Sequence, residues 1–298
     1  MSSKTKIHDY NSSKTRVAPA FSKIMKNPGP FFELLSHECN IDCSPSTKIR
    51  TIMFAGKSSK EPCEKQLPPR PEYLKELLMN FSQNTYLSKL KGNTDATSLR
   101  RLALANKKTC ATELNKALEL IDKLDLGKSP NAWYVLEGST KPDVFIETDT
   151  FILVVEGKRT EHGPEIGTTW DPKRHQMIRH IEGALQYASC HSANNPKSVY
   201  AIYIVEESSL DKYNWNMYAA QDNKPYIDSL PHLYKKSPEK FSEVKKAFKG
   251  TLTWQQLWSA YKDTDDPIRY IKSIEYYAPH EQPPCDKAAV YLKTHHFT

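Results

Sequence analysis

Three charged residues sit at the ends of two neighbouring apolar runs in the middle of this chain. Pro142-Asp143 opens one run, and Glu156-Gly157-Lys158 closes the next. If Asp149-Thr150 is the tip of a hairpin, position 148 faces 151, and counting outward brings Asp143 opposite Glu156. Directly opposed residues point to the same side of a sheet with Cβ atoms about 5 Å apart. Two carboxylates that close repel unless a proton or a cation lies between them. A hard divalent cation with oxygen ligands is the simplest resident, and Mg2+ fits best. Lys158 lies two residues past Glu156, so it projects from the same face of its strand. Burying three charges there adds little to stability, because buried ion pairs are often no better than apolar replacements. It suits hydrolysis of a phosphodiester. A metal lowers the pKa of water and offsets charge on the phosphoryl oxygens, while the lysine orients that water or stabilises the transition state.

The elements that must position these residues follow from periodicity. Residues 132–137 read as a strand, 138–140 as a turn, 142–147 as a second strand and 151–158 as a third. Phe151 to Val155 is continuously apolar, which predicts a strand buried on both faces. A helix is expected over about 172–190, with Met177, Ile181, Ala184 and Ala188 as its packing side, and a further buried strand over 198–205. Upstream, 72–87 and 109–123 carry apolar residues at helical spacing, the second with Leu114, Ala117, Leu118 and Ile121, ended by Gly127 and Pro130. Downstream, helices are expected over 238–249 and 253–262, with Trp254, Leu257, Trp258 and Tyr261 read as core packing.

Pro-Asp, twelve intervening residues, then Glu-x-Lys on the next strand resembles the PD-(D/E)XK nuclease superfamily. The match runs over Lys141-Pro142-Asp143-Val144-Phe145-Ile146 and Phe151-Ile152-Leu153-Val154-Val155-Glu156-Gly157-Lys158-Arg159. The order helix, three strands, helix, strand over residues 105–206 is similar as well. The resemblance implies a restriction endonuclease-like α/β core, a mixed central sheet flanked by helices. It implies that Asp143 and Glu156 bind Mg2+, with Mn2+ able to substitute, that the Gly157 carbonyl also coordinates, and that Lys158 serves the attacking water. Many members add a glutamate from the preceding helix. Glu113, bordering the apolar stripe of 109–123, and Glu137, closing the first strand, are the candidates, each against the plainer reading of a solvated side chain. Nuclease relatives often carry a polar residue on the helix after the third strand, which makes Gln176 the candidate for substrate or water contact. Arg159 and Arg179 are further substrate-binding candidates, with Arg174 beside them, although either helix arginine also reads as a solvated charge. His180 and Tyr187 read as half-buried packing at the margin of the core, and Gly183 as a point of close approach of helix and sheet.

Outside this region the chemistry is sparser. The loop 159–171, with Glu161, His162 and Glu165, follows the lysine directly and reads as substrate-facing. His37, Cys39, Cys43 and Cys63 cluster without the paired short spacing of a zinc knot, so free thiols are the simpler reading. Cys190 and His191 are adjacent, which is no evidence for a nucleophile and its base. There is no phosphate-binding glycine loop and no GxSxG elbow.

Over the whole 298 residues, a hydrophobic fraction of 38% is enough for a core of ordinary size. No apolar stretch is long enough to span a membrane, and the start MSSKTKIHDYNSS lacks the apolar core of a secretory signal, so no membrane partner and a cytoplasmic location are expected. The net charge of +7 suits a polyanionic partner. Residues 1–70, rich in Ser, Lys and Pro, read as a basic, partly disordered and irregular extension in which residues 30–35 form a docked helical turn. Residues 71–277 read as the nuclease-like domain, and 278–298 as a C-terminal tail. The expected activity is Mg2+-dependent hydrolysis of nucleic acid, DNA in the first instance, in restriction, defence or repair. The alternative is a catalytically silent nucleic-acid-binding or scaffold protein of the same fold, and a third reading makes the charged trio a structural ion cluster. Many relatives act as dimers, so a homodimer is an open possibility for assembly.

Overall fold

The run Val144 to Gly157 folds on itself because a polar tip, Asp149-Thr150, separates two stretches of apolar and β-branched residues. In the computed structural model, Thr148 closes this turn with its side chain. Its hydroxyl accepts from the backbone N–H of Thr150 (3.2 Å) and Phe151 (2.9 Å) and donates to the Phe151 carbonyl at 3.0 Å. The strands β2 (Val144–Thr148) and β3 (Phe151–Gly157) that emerge are antiparallel, with Val144 opposite Val155 and Phe145 opposite Val154. This is the register expected from the sequence. The structure describes residues 17–44, 46–54, 65–80, 95–106, 108–123, 137–158, 161–168, 171–191, 196–219 and 223–265.

Around the hairpin the sheet has five strands in the order β1-β2-β3-β4-β5. β1 (Ile49–Phe54) runs antiparallel to β2, β4 (Ser198–Val205) parallel to β3, and β5 (Phe248–Thr253) parallel to β4. Every residue of β3 is buried, as its unbroken apolar run predicts for a strand covered on both faces.

Two core layers cover the sheet. On one face Phe145, Ile152, Val154, Ala201, Tyr203 and Val205 pack with the helix that joins β3 to β4 and the one that precedes β5. The expected packing side of the first of these, Met177, Ile181, Ala184 and Ala188, is buried. On the other face Val144, Leu153, Val155, Ile202 and Ile204 meet three helices. These are α1 (Ala18–Lys26), α2 (Gly29–Cys39) and the C-terminal helix that follows β5.

A third, smaller core is made by α3 (Pro71–Met79), α4 (Asp95–Ala105) and α5 (Cys110–Asp122), through Tyr73, Leu74, Leu77, Leu78, Leu104, Ala117 and Ile121. In chain order the remaining helices are α6 (Gln176–His191), α7 (Glu207–Leu210), α8 (Lys224–Ser229), α9 (Pro238–Ala247) and α10 (Trp254–Tyr261). The start of α10 is fixed by a capping box, Thr253 accepting from the Gln256 backbone while the Gln256 side chain accepts from the Thr253 N–H.

Several expectations are corrected. Residues 17–54 are no irregular arm: α1, α2 and β1 supply one wall of the core and one edge of the sheet, with Phe21, Phe31, Phe32 and Leu35 buried. The antiparallel neighbour of β2 on the side away from β3 is β1, in the place of the expected strand 132–137. Residues 131–136 lie outside the described residues, and Glu137 to Ser139 form no strand. The stretch expected as one helix over 238–249 turns into β5 at Phe248. The expected helix 72–87 is described only to Met79, and the tail 278–298 lies outside the described residues. Among the described residues no helix is long and apolar enough to cross a membrane.

Candidate active site

Asp143 stands one residue before β2, Glu156 is the penultimate residue of β3, and Lys158 follows the strand directly. Residues 152, 154, 156 and 158 share the α6 face of the sheet, because side chains alternate along a strand and Ile152 and Val154 belong to that layer. Gly157 faces the opposite layer, where a Cβ would lie 2.5 Å from Val17 Cγ2 and 3.0 Å from Trp254 Cζ2. The glycine is thus a packing requirement on the far face. The same Trp254 donates its indole N–H to the Lys158 carbonyl at 2.9 Å, which anchors the strand end.

The two acids are locked together through their backbones. The Asp143 N–H donates to Glu156 Oε1 at 3.2 Å, and the Gly157 N–H donates to Asp143 Oδ2 at 3.0 Å. Lys158 Nζ lies 3.2 Å from Glu156 Oε2, 3.7 Å from Glu165 Oε2, and donates to Gln176 Oε1 at 3.1 Å. His180 Nε2 lies 2.8 Å from Glu156 Oε1, and its Nδ1 is 2.7 Å from the Thr140 hydroxyl. Glu156 is 2% exposed and Lys158 8%, whereas Asp143 and Gln176 are half-buried and Glu161 and Glu165 face solvent. The site therefore opens toward the 161–168 loop. That loop is tied down by an antiparallel bridge between Ile166 and His175 and by the Gln176 N–H donating to the Glu165 carbonyl at 3.1 Å.

Charge settles the protonation states. Burial pushes the Glu156 carboxyl up, but His180 and Lys158 outweigh it and hold the group down at about 2. Burial pulls the Lys158 ammonium down, while Glu156, Asp143, Glu161 and Glu165 outweigh it and leave Lys158 above its ordinary value. At neutral pH the site holds a carboxylate and an ammonium.

The donor set is oxygen: Asp143, the second oxygen of Glu156 and the Gly157 carbonyl are hard ligands. Mg2+ commonly takes one or two carboxylates and keeps several waters. Among the described residues no group of three or more His, Cys, Asp or Glu side chains is arranged to hold a metal, so a full protein cage for the ion is not what these residues build. A two-carboxylate site that leaves water on the ion fits them.

The remaining candidates are placed elsewhere. Both oxygens of Glu137 accept from Arg174, at 2.9 Å each, in a forked ion pair. Glu113 pairs with Lys116 at 3.0 Å on α5, a helix packed against α3 and α4. Arg174 is wholly buried, so neither expected reading of it holds. It also lies 2.7 Å from Glu182, donates to the Ser229 carbonyl at 2.9 Å and stacks on Tyr73. Arg179 donates to the Gly138 and Ser139 carbonyls at 3.2 Å and lies 3.5 Å from Glu137. Arg159 lies outside the described residues. Gly183 allows a close approach, though to the strap before α3: a Cβ there would sit 2.9 Å from Leu67 Cβ and 3.2 Å from the Pro68 carbonyl. Tyr187 is half-buried as expected and donates to Glu147 at 3.2 Å. His162 is exposed and meets Tyr213 edge-on.

Of the cysteine cluster, Cys39 is buried in the α2 layer, burial pushing its thiol up to about 12, and burial raises Cys43 to about 11. His37 points to solvent beside Glu38, and Cys63 lies outside the described residues. His180, on the stripe with Gln176 and expected as half-buried packing, is instead wholly buried against Glu156, and Thr140, expected only as part of a turn, holds its ring.

Compared with family models, with curated proteins and with solved structures, the chain finds no match in any of the three.

Proposed function

We propose that this chain is a Mg2+-dependent phosphodiesterase of the PD-(D/E)XK type that cuts nucleic acid, DNA being the expected substrate. The observation that carries the reading is the reciprocal pair of backbone bonds between Asp143 and the Glu156-Gly157 segment, with the Lys158 ammonium 3.2 Å from Glu156. It gives a carboxylate pair and one charged donor at the open end of a buried strand. The strand directions support it, three antiparallel strands followed by a parallel strand reached through α6.

Asp143, Glu156 and the Gly157 carbonyl would hold the ion. When bound, it supplies Lewis-acid polarisation of the phosphoryl oxygen and acidifies water. Lys158, kept protonated by its carboxylate neighbours, donates a hydrogen bond to the attacking water or to the developing charge on phosphorus-bound oxygen. Gln176 holds the ammonium on the pocket side. The exposed Glu165 occupies a place at Lys158 that a substrate phosphate would take over. A setting in restriction, defence or repair follows from the resemblance alone.

A second reading is favoured by one observation: both oxygens of Glu156 are already held by cations or donors of the protein itself. Under it the trio is a structural ion cluster. Purified protein incubated with plasmid, linear duplex, single-stranded DNA and RNA, in Mg2+, Mn2+ or EDTA, decides between them when Lys158→Ala is run alongside. A nuclease cuts at least one substrate in metal and not in EDTA, and Lys158→Ala abolishes cutting while the protein still melts near the wild-type temperature. No cleavage of any substrate, with Lys158→Ala melting far lower, leaves the structural cluster. Binding without cutting indicates a silent relative.

A further inference from the structure

We infer that His180 is a positioning residue that fixes which oxygen of Glu156 faces the metal pocket, an inference that rests on the proposed metal-dependent reading. The ring is 1% exposed. Nδ1 is hydrogen-bonded with the Thr140 hydroxyl at 2.7 Å, and Nε2 lies 2.8 Å from Glu156 Oε1 in an ion-pair contact rather than an aligned hydrogen bond. Thr140 is itself immobilised by a two-bond backbone bridge to Leu67, at 2.8 and 2.9 Å. Gly183, nearly one turn along α6, lets Leu67, Pro68 and Thr140 lie against the helix where any Cβ would crowd them. The imidazole therefore has one place to be.

Oε1 lies against Nε2 at 2.8 Å and also accepts from the Asp143 N–H at 3.2 Å, so two groups of the protein hold that oxygen. Oε2 meets Lys158 Nζ at 3.2 Å and keeps a second acceptor direction. His180 thereby presents Glu156 to a cation as a single-oxygen ligand and prevents the carboxylate from turning. Outer partners that orient a ligand in this way typically change metal affinity or activity by about 10–100-fold when removed.

The test contrasts two amide replacements. In His180→Gln the longer side chain reaches Glu156 with an N–H in place of Nε2. In His180→Asn the shorter one reaches Thr140 but falls short of Glu156. Three readouts are taken on the full-length chain: Mn2+ affinity by calorimetry, kcat and KM for cleavage, and the melting temperature in EDTA. His180→Asn is expected to lose about 10–100-fold in Mn2+ affinity and kcat with KM for nucleic acid little changed, and His180→Gln to retain most of both, the two variants melting alike. Equal metal affinity and kcat in the wild type and His180→Asn overturn the inference and leave the nuclease reading standing. So does a loss in both variants that follows their melting temperatures, since that is packing. A wild-type protein that neither binds Mn2+ nor cleaves overturns the nuclease reading and this one with it.

Discussion

At the scale of single residues, Glu156 ties stability to pH. Its carboxyl sits at about 2 in the folded protein against an ordinary value of 4.5, because His180 and Lys158 outweigh the penalty of burial. A depressed carboxyl stabilises the fold above its unfolded value and loses that contribution as pH falls through the folded value. The difference corresponds to about 3 kcal/mol, fully present above about pH 4.5, with about 2 kcal/mol lost by about pH 3. Urea unfolding in EDTA checks this: the free energy of Glu156→Gln is expected to fall less steeply than wild type between about pH 6 and pH 3. Parallel curves for the two proteins would mean that the carboxylate is not held by those cations. Asp143, Glu156 and Lys158 were legible in the sequence because hairpin register and strand alternation are local rules. His180 and Thr140 were not. Their contact spans 40 residues and depends on how α6 is rotated over the sheet, which no repeat in the sequence encodes.

At the scale of elements, the middle of the sheet was readable and its edges were not. β2, β3, α6 and β4 carry strong periodicity or unbroken apolar runs, and their observed bounds fall within a few residues of those expected. β1 alternates weakly, with Arg50 and Thr51 exposed, and it pairs with a strand some ninety residues away. β5 reads Phe-Lys-Gly-Thr-Leu-Thr, and its pairing to β4 shifts between Ala201 and Ile202 beside Gly250, whose φ is +122°. A bulge with a glycine in the left-handed half of the map breaks the alternation that would identify a strand. The helices α1, α2 and α10 then complete the site from behind, because Gly157 leaves only enough room for Val17 and Trp254. Gly157→Ala is accordingly expected to cost about 1–3 kcal/mol of unfolding free energy by overpacking. Chemical denaturation measures it, and Val17→Ala in the same chain should recover part of the loss, since these two sites share the clash. An alanine variant as stable as wild type would show that the layers are not packed this closely.

At the scale of the whole molecule, a buried charge network fastens the helical layers to the sheet. Arg174 joins Glu137 before β2, Glu182 on α6, the Ser229 carbonyl at the end of α8 and the Tyr73 ring on α3. Arg70 lies 3.5 Å and His232 2.7 Å from Glu182 Oε1, so the segment leading into α3 and the turn after α8 meet at one carboxylate. Burial pushes the Glu182 carboxyl up, but His232, Arg174 and Arg70 outweigh it and hold the group far below its ordinary range. Removing one partner from such a network leaves an uncompensated buried charge, whereas replacing partners together with apolar groups of similar size does not. Arg174→Met is therefore expected to lose about 3–5 kcal/mol, since it takes the forked partner from buried Glu137 and one cation from buried Glu182. Adding Glu137→Leu to Arg174→Met should recover part of that loss, since Glu182 keeps His232 and Arg70, a coupling measured by comparing the single and double variants in urea. The acid response has the same sign. The network's contribution is present at neutral pH and is lost as pH falls below the ordinary carboxylate range, so Arg174→Met should flatten the acid limb of the stability curve. A single variant within about 1 kcal/mol of wild type, or a double variant no better than the single, would show that packing and not this network holds the layers together.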